Sequence, residues 1–488
     1  MTNSNLNVLP RSATVQSDVE YALAQTEAGP HLMVCAPTES ASLQAFEGEC
    51  SELADRSLLL CPLTPGNAAA LRSQLNWLQP RPLGLNTSAG MGDRIGLATP
   101  GHVRAVRATG SVIAPIFAQQ SIREMVRTER TPQQVLDDAT WGIFQEGWQA
   151  GVGADADHLK TPEDIDACLA AGYSFFTIDP GAHVDNRAET ADLATLRELA
   201  ETLPSQIKPS ASGLLGIDFD IEGLQIHIDE YTLIKAAVKY GRAIEHVATM
   251  YHHLAGAAGT HPFELEVSVD ETDQPTSHAE HIYIASELKR LDVDWVSLAP
   301  RYVGSFEKGV DYIGDIPAFE RDFAGHAAIA RHFGPYKLSL HSGSDKFSIY
   351  PVAARLTHGL VHLKTAGTSY LEALRTIAAV DVDLFREIYL FARKQFETDK
   401  VSYHVSAQLE RAPFPEETPD CTTLLDQFDA RQILHIAFGS VLAGRAANGS
   451  YRFRDRFISM LHEYSEAYAE NLERHFIRHL KPFAEVRD

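Results

Sequence analysis

From about residue 83 the chain settles into a rhythm that few folds can satisfy. Short apolar segments rich in Val, Ile and Phe alternate with longer amphipathic stretches, the pattern of a parallel sheet crossed by helices. The candidate strands are PLGLNTS (82–88), SVIAPIFAQ (111–119), GVGADADH (151–158), YSFFTIDP (173–180), FELEVSVDE (263–271), VDWVSLAP (293–300), YKLSLHSGS (336–344) and GLVHLKTAG (359–367). A series of eight βα units closes into a barrel. The fold expected is therefore α/β, a TIM-type (β/α)8 barrel.

The helices between these strands carry their own boundary signals. Thr161 and Pro162 supply an N-cap and a first-turn proline, Asp164 stands at capping-box spacing, and Gly172 closes the helix. Thr131-Pro132 repeats that start before VLDDATWGIFQEGW.

Other segments read as additions. Residues 1–80 mix runs such as HLMVCAP and SLLLCPL with polar stretches, suggesting a small α/β cap with a structural or oligomerising role. Residues 81–488 hold the barrel. Between the fourth and fifth strands, 181–262 is too long for a simple crossover and reads as an insertion, and 380–488 reads as a helical C-terminal extension. There is no internal repeat and no low-complexity tract.

Composition narrows the function. Hydrophobic residues make up 44% and charged residues 22%, the balance of a packed chain. Against 42 Lys+Arg stand 65 Asp+Glu, a net charge of −23, which argues against nucleic acid or an acidic membrane as partner. A small anionic substrate stays open, because local charge can oppose the total. No stretch approaches the ~20 apolar residues of a membrane span, and MTNSNLNVLPRSATVQS lacks the features of a signal peptide. Five cysteines without a CxxC pair suit reduced thiols, so the expected location is cytoplasmic. Homo-oligomerisation is left open.

Chemistry in such a barrel sits where strands run into the following loops. The carboxyl ends of these strands carry Asn86, Gln119, Gln120, Asp157, His158, Asp179, Glu266, Asp270, Arg301, His341, Asp345 and Lys364. In ADADHLK, Asp155 and Asp157 share a strand face and His158 stands at the corner, where a neutral imidazole can bind a divalent metal beside a carboxylate base. The alternative is that these carboxylates cap the following helix.

EVSVDE places Glu266, Ser268 and Asp270 on one face. A buried carboxylate there needs a metal, a cation or a proton, and a plain ion pair would also satisfy it. His341 in LHSGSDKF is a second metal-ligand candidate, and Lys364 can bind a carboxylate or form a Schiff base. Gln120, Arg301 and Lys364 are the substrate-binding candidates. GMGDRIG lacks the spacing of a nucleotide loop, and His252-His253 read as surface residues.

FAQQSIRE, VLDDATWGIFQEGW, GADADH, FTIDP, EVSVDET and SLHSGSDKFSIYP followed by VHLKTAGTSYLEA resemble the tagaturonate/fructuronate epimerase family, in the same order from about Asn86 to about 410. The resemblance implies a metal-dependent isomerase of hexuronate breakdown that interconverts D-tagaturonate and D-fructuronate. It implies Asp157 as proton acceptor, Glu266 as proton donor, and His158 and His341 as metal ligands. Asp270 and His362 remain candidates for a further ligand. Zinc, manganese and nickel all suit a set of imidazole and carboxylate.

The two sugar acids differ at carbon 4, β to the ketone, so simple α-proton exchange cannot interconvert them. A retro-aldol route can. The competing readings are a metal-dependent aldolase or keto–aldo isomerase on sugar acids or ketoses, and a non-catalytic sugar-acid sensor. An anionic substrate in so acidic a chain requires a locally positive mouth, drawn from Arg123, Lys160, Arg301, Lys346 and Lys364.

Overall fold

The computed structural model describes residues 6–485 of the chain. Its centre is a closed barrel of eight parallel strands: β1 (Ser88–Gly90), β2 (Ala114–Ser121), β3 (Gly153–Leu159), β4 (Phe175–Ile178), β5 (Glu264–Val269), β6 (Ser297–Pro300), β7 (Lys337–Leu340) and β8 (Val361–Lys364). Each pairs with its sequence neighbours, and β8 closes on β1. Nearly every strand residue is buried, as expected of parallel strands covered on both faces.

Eight helices form the outer layer: α1 (Thr99–Ala108), α2 (Pro132–Glu146), α3 (Pro162–Ala171), α4 (Glu230–Ala258), α5 (His278–Arg290), α6 (Ile316–Phe333), α7 (Tyr350–Thr357) and α8 (Thr368–Val380). Their starts follow the sequence signals. Thr131 with Gln134 and Thr161 with Asp164 both make full capping boxes, and Gly172 ends α3 in the left-handed region at φ 100°.

The strands begin later than hydrophobicity alone suggested. PLGLNTS is mostly approach loop, and β1 is only Ser88–Gly90. Asn86 consequently lies at the amino end of the barrel, where its Nδ2 donates to the Leu83 carbonyl at 2.7 Å, and it is not a mouth residue.

In the N-terminal segment the polar stretches are strands as well. Six strands from Asn7 to Pro62 form one antiparallel sheet, and a single helix, Pro65–Gln74, follows. This sheet and the barrel share one continuous apolar core, from Val19 and Leu32 to Phe144 and Phe176. Within 181–262, short 3-10 turns, the helix Leu193–Glu201 and the hairpin Asp218–Ile221/Leu224–His227 precede α4. The long helix of the segment is therefore the fourth barrel helix, packed between α3 and α5. After α8 come five further helices, and the last (Ser465–Ala484) packs on α1 and α8.

Candidate active site and metal centre

The carboxyl ends of the strands gather the site, and β3 shows how the backbone aims it. Successive residues of a strand point to opposite faces, yet Asp157 and His158 both face the barrel mouth. The register explains this: Phe176 pairs with Ala156 but Ile178 with Leu159, so β3 carries one extra residue. His158 adopts the left-handed conformation at φ 55°. This bulge re-aims the imidazole, and His158 Nδ1 comes 2.7 Å from Asp157 Oδ1. The capping alternative falls away, since Thr161 and Asp164 cap α3 by themselves.

A matching pair stands across the mouth. His341, just past β7, places Nε2 2.7 Å from Glu266 Oε1 on β5. Its Nδ1 lies 3.3 Å from Ser268 Oγ and 3.5 Å from Asp270 Oδ1. The alternation of EVSVD is thus realised, with Glu266, Ser268 and Asp270 all turned towards the mouth. The two imidazole rings are 5.0 Å apart.

Lys364 joins the pairs from below. Its ammonium lies 2.6 Å from Asp157, 2.8 Å from Glu266 and 3.0 Å from Asp155, and donates to Thr177 Oγ1 at 2.6 Å. An ammonium has three hydrogens, so these contacts engage Lys364 fully in this structure. Burial drives the Asp155 carboxyl upward, although Lys364 opposes it. Burial would raise Asp157 and Glu266 too. His158 and Lys364 outweigh it at Asp157, Lys364 and His341 at Glu266, and both stay well below the ordinary range.

His158, Asp270 and His341 each offer a donor atom within 4.8 Å of the other two. Burial would lower the His341 pKa, but Asp270 and Glu266 carry it up to about 10, so the site favours positive charge at this point. With Nδ1–H given to Asp157, His158 Nε2 keeps its lone pair, the arrangement of a carboxylate-oriented metal ligand. These residues fit a divalent cation. Of the two candidates for a further ligand, Asp270 lies in the group. His362 does not: it lies deeper in the barrel, bonded to Ser88 Oγ at 2.8 Å and packed on Phe175.

Other sequence candidates separate. Gln120 faces away from the mouth, its Oε1 accepting from Arg130 at 3.0 Å and its Nε2 pointing to Thr128. Its neighbour Gln119 faces in and donates to Asp157 Oδ2 at 3.1 Å. Arg301 lines the open cavity of about 310 Å³ at the mouth, together with Asp270, Tyr302, His341, Ser342 and His404. Lys346 is fully buried and donates to the carbonyls of Ser344, Glu307 and Val310, so its ammonium is not presented to the mouth. Lys160 is paired with Asp179 at 2.9 Å.

Two participants escaped the sequence reading. His404 comes from the C-terminal extension, far from any strand end. Lys308 sits in the loop after β6, where burial pushes its pKa down while the charges of Glu124 and Asp157 oppose that shift.

Residues 9–483 match the tagaturonate epimerase family. A tagaturonate/fructuronate epimerase of Thermotoga maritima is 42% identical over 475 residues, covering 97% of this chain and 96% of its own. The crystal structure of fructuronate-tagaturonate epimerase UxaE from Cohnella laeviribosi superposes with a TM-score of 0.92 in its native form, at 38% identity, covering 98% of this chain and 96% of that one. A form complexed with one glycerol gives the same score at 37% identity, over 98% and 97%. Fold and likeness together define a carbohydrate epimerase, an isomerase built on a TIM barrel. The chain belongs to the tagaturonate epimerase family.

Proposed function

We propose that this enzyme interconverts D-tagaturonate and D-fructuronate by retro-aldol cleavage and re-addition, with a divalent metal held by His158, Asp270 and His341. One observation carries the reading: two histidine–carboxylate pairs, each 2.7 Å, face one another with Lys364 between their carboxylates. A metal bound there would supply Lewis-acid charge to stabilise the enediolate oxygens.

The residues do the rest. Asp157, held ionised by its neighbours, takes the proton of the carbon-4 hydroxyl. The bond between carbons 3 and 4 breaks, and its electron pair goes to carbons 2 and 3 as an enediolate. Carbon 4 becomes an aldehyde, turns about its bond to carbon 5, and presents its other face. When the bond reforms, Glu266 returns a proton to the carbon-4 oxygen. Glu266 is ionised at rest, so the proton it returns is the one that Asp157 took from the carbon-4 hydroxyl, relayed through Lys364, which touches both carboxylates, and both groups end the cycle as they began. The substrate carboxylate is met by Arg301, with Lys308 as a second cation.

Asp157→Asn tests the base. Loss of a general base costs on the order of 10²–10⁴-fold in rate, and wild-type kcat in this variant would remove Asp157 from the mechanism. Substrate deuterated at carbon 4 tests the route. Retro-aldol cleavage leaves that C–H bond intact, so only a small secondary isotope effect is expected. A primary effect, or solvent deuterium at carbon 4, would overturn it. Product analysis separates epimerase from aldolase, since accumulating three-carbon fragments would favour the latter.

A further inference from the structure

A second cluster of imidazole and carboxylate lies outside the barrel, where α5 packs on α6. His278 stands in the first turn of α5; Asp322 and His326 stand four residues apart on one face of α6. We infer that His278, Asp322 and His326 form a second, structural site for a divalent transition-metal ion, distinct from the site in the barrel mouth.

Three observations point there. The first is charge. Asp322 is 15% exposed, and among the described residues only His278 (3.8 Å) and His326 (3.7 Å) approach it as cationic partners. A largely buried carboxylate without lysine or arginine needs another source of positive charge.

The second is an unpartnered donor. His326 is fully buried, and its Nε2 has no hydrogen-bond partner. Its Nδ1 lies 2.9 Å from His281 Nδ1, and His281 Nε2 lies 2.7 Å from the Tyr336 hydroxyl. If the proton sits on His326 Nδ1 and is donated to His281, Nε2 keeps its lone pair directed at Asp322. That is the outer-sphere support a ligating histidine normally has.

The third is space. A Cβ on Gly325 would come 2.3 Å from His278 Nε2, so glycine at this position is what lets the His278 ring lie against α6 between Asp322 and His326.

The dimensions suit a small ion. The three donor atoms lie within 4.8 Å of one another. Tetrahedral zinc with bonds of about 2.0–2.1 Å needs donors roughly 3.3 Å apart, so the two imidazoles, now 3.8 and 3.7 Å from Asp322 Oδ1, must close on it by about half an ångström and draw towards each other by up to about 1.5 Å. His278 Nε2 now lies 2.9 Å from the Asp322 carbonyl, and binding moves its proton to Nδ1. His278 is 24% exposed, which leaves a route for the ion and a water as fourth ligand. Asp322 Oδ2 also accepts the Val303 N–H at 3.2 Å, and His326 packs on Tyr302. An ion here therefore braces the loop after β6 that lines the mouth.

The test is zinc stoichiometry on the full chain stripped by chelator, read by calorimetric titration and by metal analysis after dialysis. Wild type is expected to hold two ions and His326→Ala one. His158→Ala/His341→Ala is expected to hold one, and the combined triple variant none. His278→Gln, a milder change at a partly exposed position, repeats the His326→Ala result should that variant fold poorly. Failure of the mouth site would read differently, as a single wild-type ion that disappears with His326→Ala. Wild-type stoichiometry in both His326→Ala and His278→Gln would overturn the inference.

Discussion

The barrel mouth and the helical coat each hold two imidazoles and a carboxylate at metal-ligand separation, yet their surroundings differ in kind. In the mouth, His158 and His341 each lean on a further carboxylate, Asp157 or Glu266, and one ammonium, Lys364, serves three carboxylates. That surplus of negative charge can hold a cation and also move protons. In the coat, Asp322 is the one carboxylate in the group, and His326 leans on a neutral chain of His281 and Tyr336. Such a site can grip an ion but has no base beside it.

A third group shows the contrast from the other side. Asp345, His475 and His479 have similar donors, but Asp345 is met by Arg431 at 3.0 Å and His475 at 2.8 Å, and its own N–H donates to His479 Nε2. That network is already satisfied and serves to tie the last helix to the loop after β7. The neighbours decide the role, and donor geometry alone does not.

The sharpest way to break the contrast is His341→Ala. It removes a ligand in the mouth and leaves Glu266 without its imidazole. Activity should fall by more than the ~10–100-fold that outer-shell partners of a metal cost, while the ion in the coat stays bound. Full activity in metal-free protein would end the metal proposal.

Lys364→Met comes next, and its effect is on stability. Removing one partner of a buried ion pair costs about 3–5 kcal/mol, and Lys364 is 3% exposed with three carboxylates around it. Equilibrium urea unfolding measures the loss. A change below about 1 kcal/mol would mean that protonation of Asp155 relieves most of the strain.

Much of the fold and of the mouth was legible in the sequence, and the gaps have physical causes. The eight βα units, the capping boxes at Thr131 and Thr161, and the shared face of Glu266, Ser268 and Asp270 all follow from period and local chemistry. The bulge at His158 does not, because one extra residue in a strand changes direction without changing composition. Lys364 was visible as a mouth residue, but only the closed barrel shows its hydrogens to be spent on Asp155, Asp157, Glu266 and Thr177. His278 and His326 sit on separate helices, and no local pattern reveals that Gly325 lets them meet. The polar strands of the N-terminal sheet also hid, since edge and half-exposed strands lack a strong apolar signal.

The coat also carries an acid sensitivity of its own, in the range where a free imidazole titrates. His102 on α1 is buried, and burial lowers its pKa to about 4. The unfolded chain binds that proton near pH 6.5, so the unfolded state gains as pH falls below that value and folding stability drops with it. Between neutral pH and pH 5 the loss is about 2 kcal/mol from this group alone. His102→Gln cannot titrate, and its urea midpoint should fall less steeply over that interval. An unchanged slope would show that His102 is protonated in the fold.

The smallest effect gives the finest test of inside against outside, because it compares neighbours on one strand. Gln119 donates to Asp157, the proposed proton acceptor, whereas Gln120 bonds to Arg130 behind the barrel wall. Gln119→Ala removes a bond that orients the base, so kcat should fall by about tenfold, equal to about 1.4 kcal/mol, with little change in urea midpoint. Gln120→Ala should do the reverse: kcat within about twofold of wild type, and a stability loss of about 1 kcal/mol as the Arg130 donor goes unmet. If Gln120→Ala instead impaired catalysis more than Gln119→Ala, the facing assigned to this strand would be wrong, and the substrate would reach Asp157 from another side.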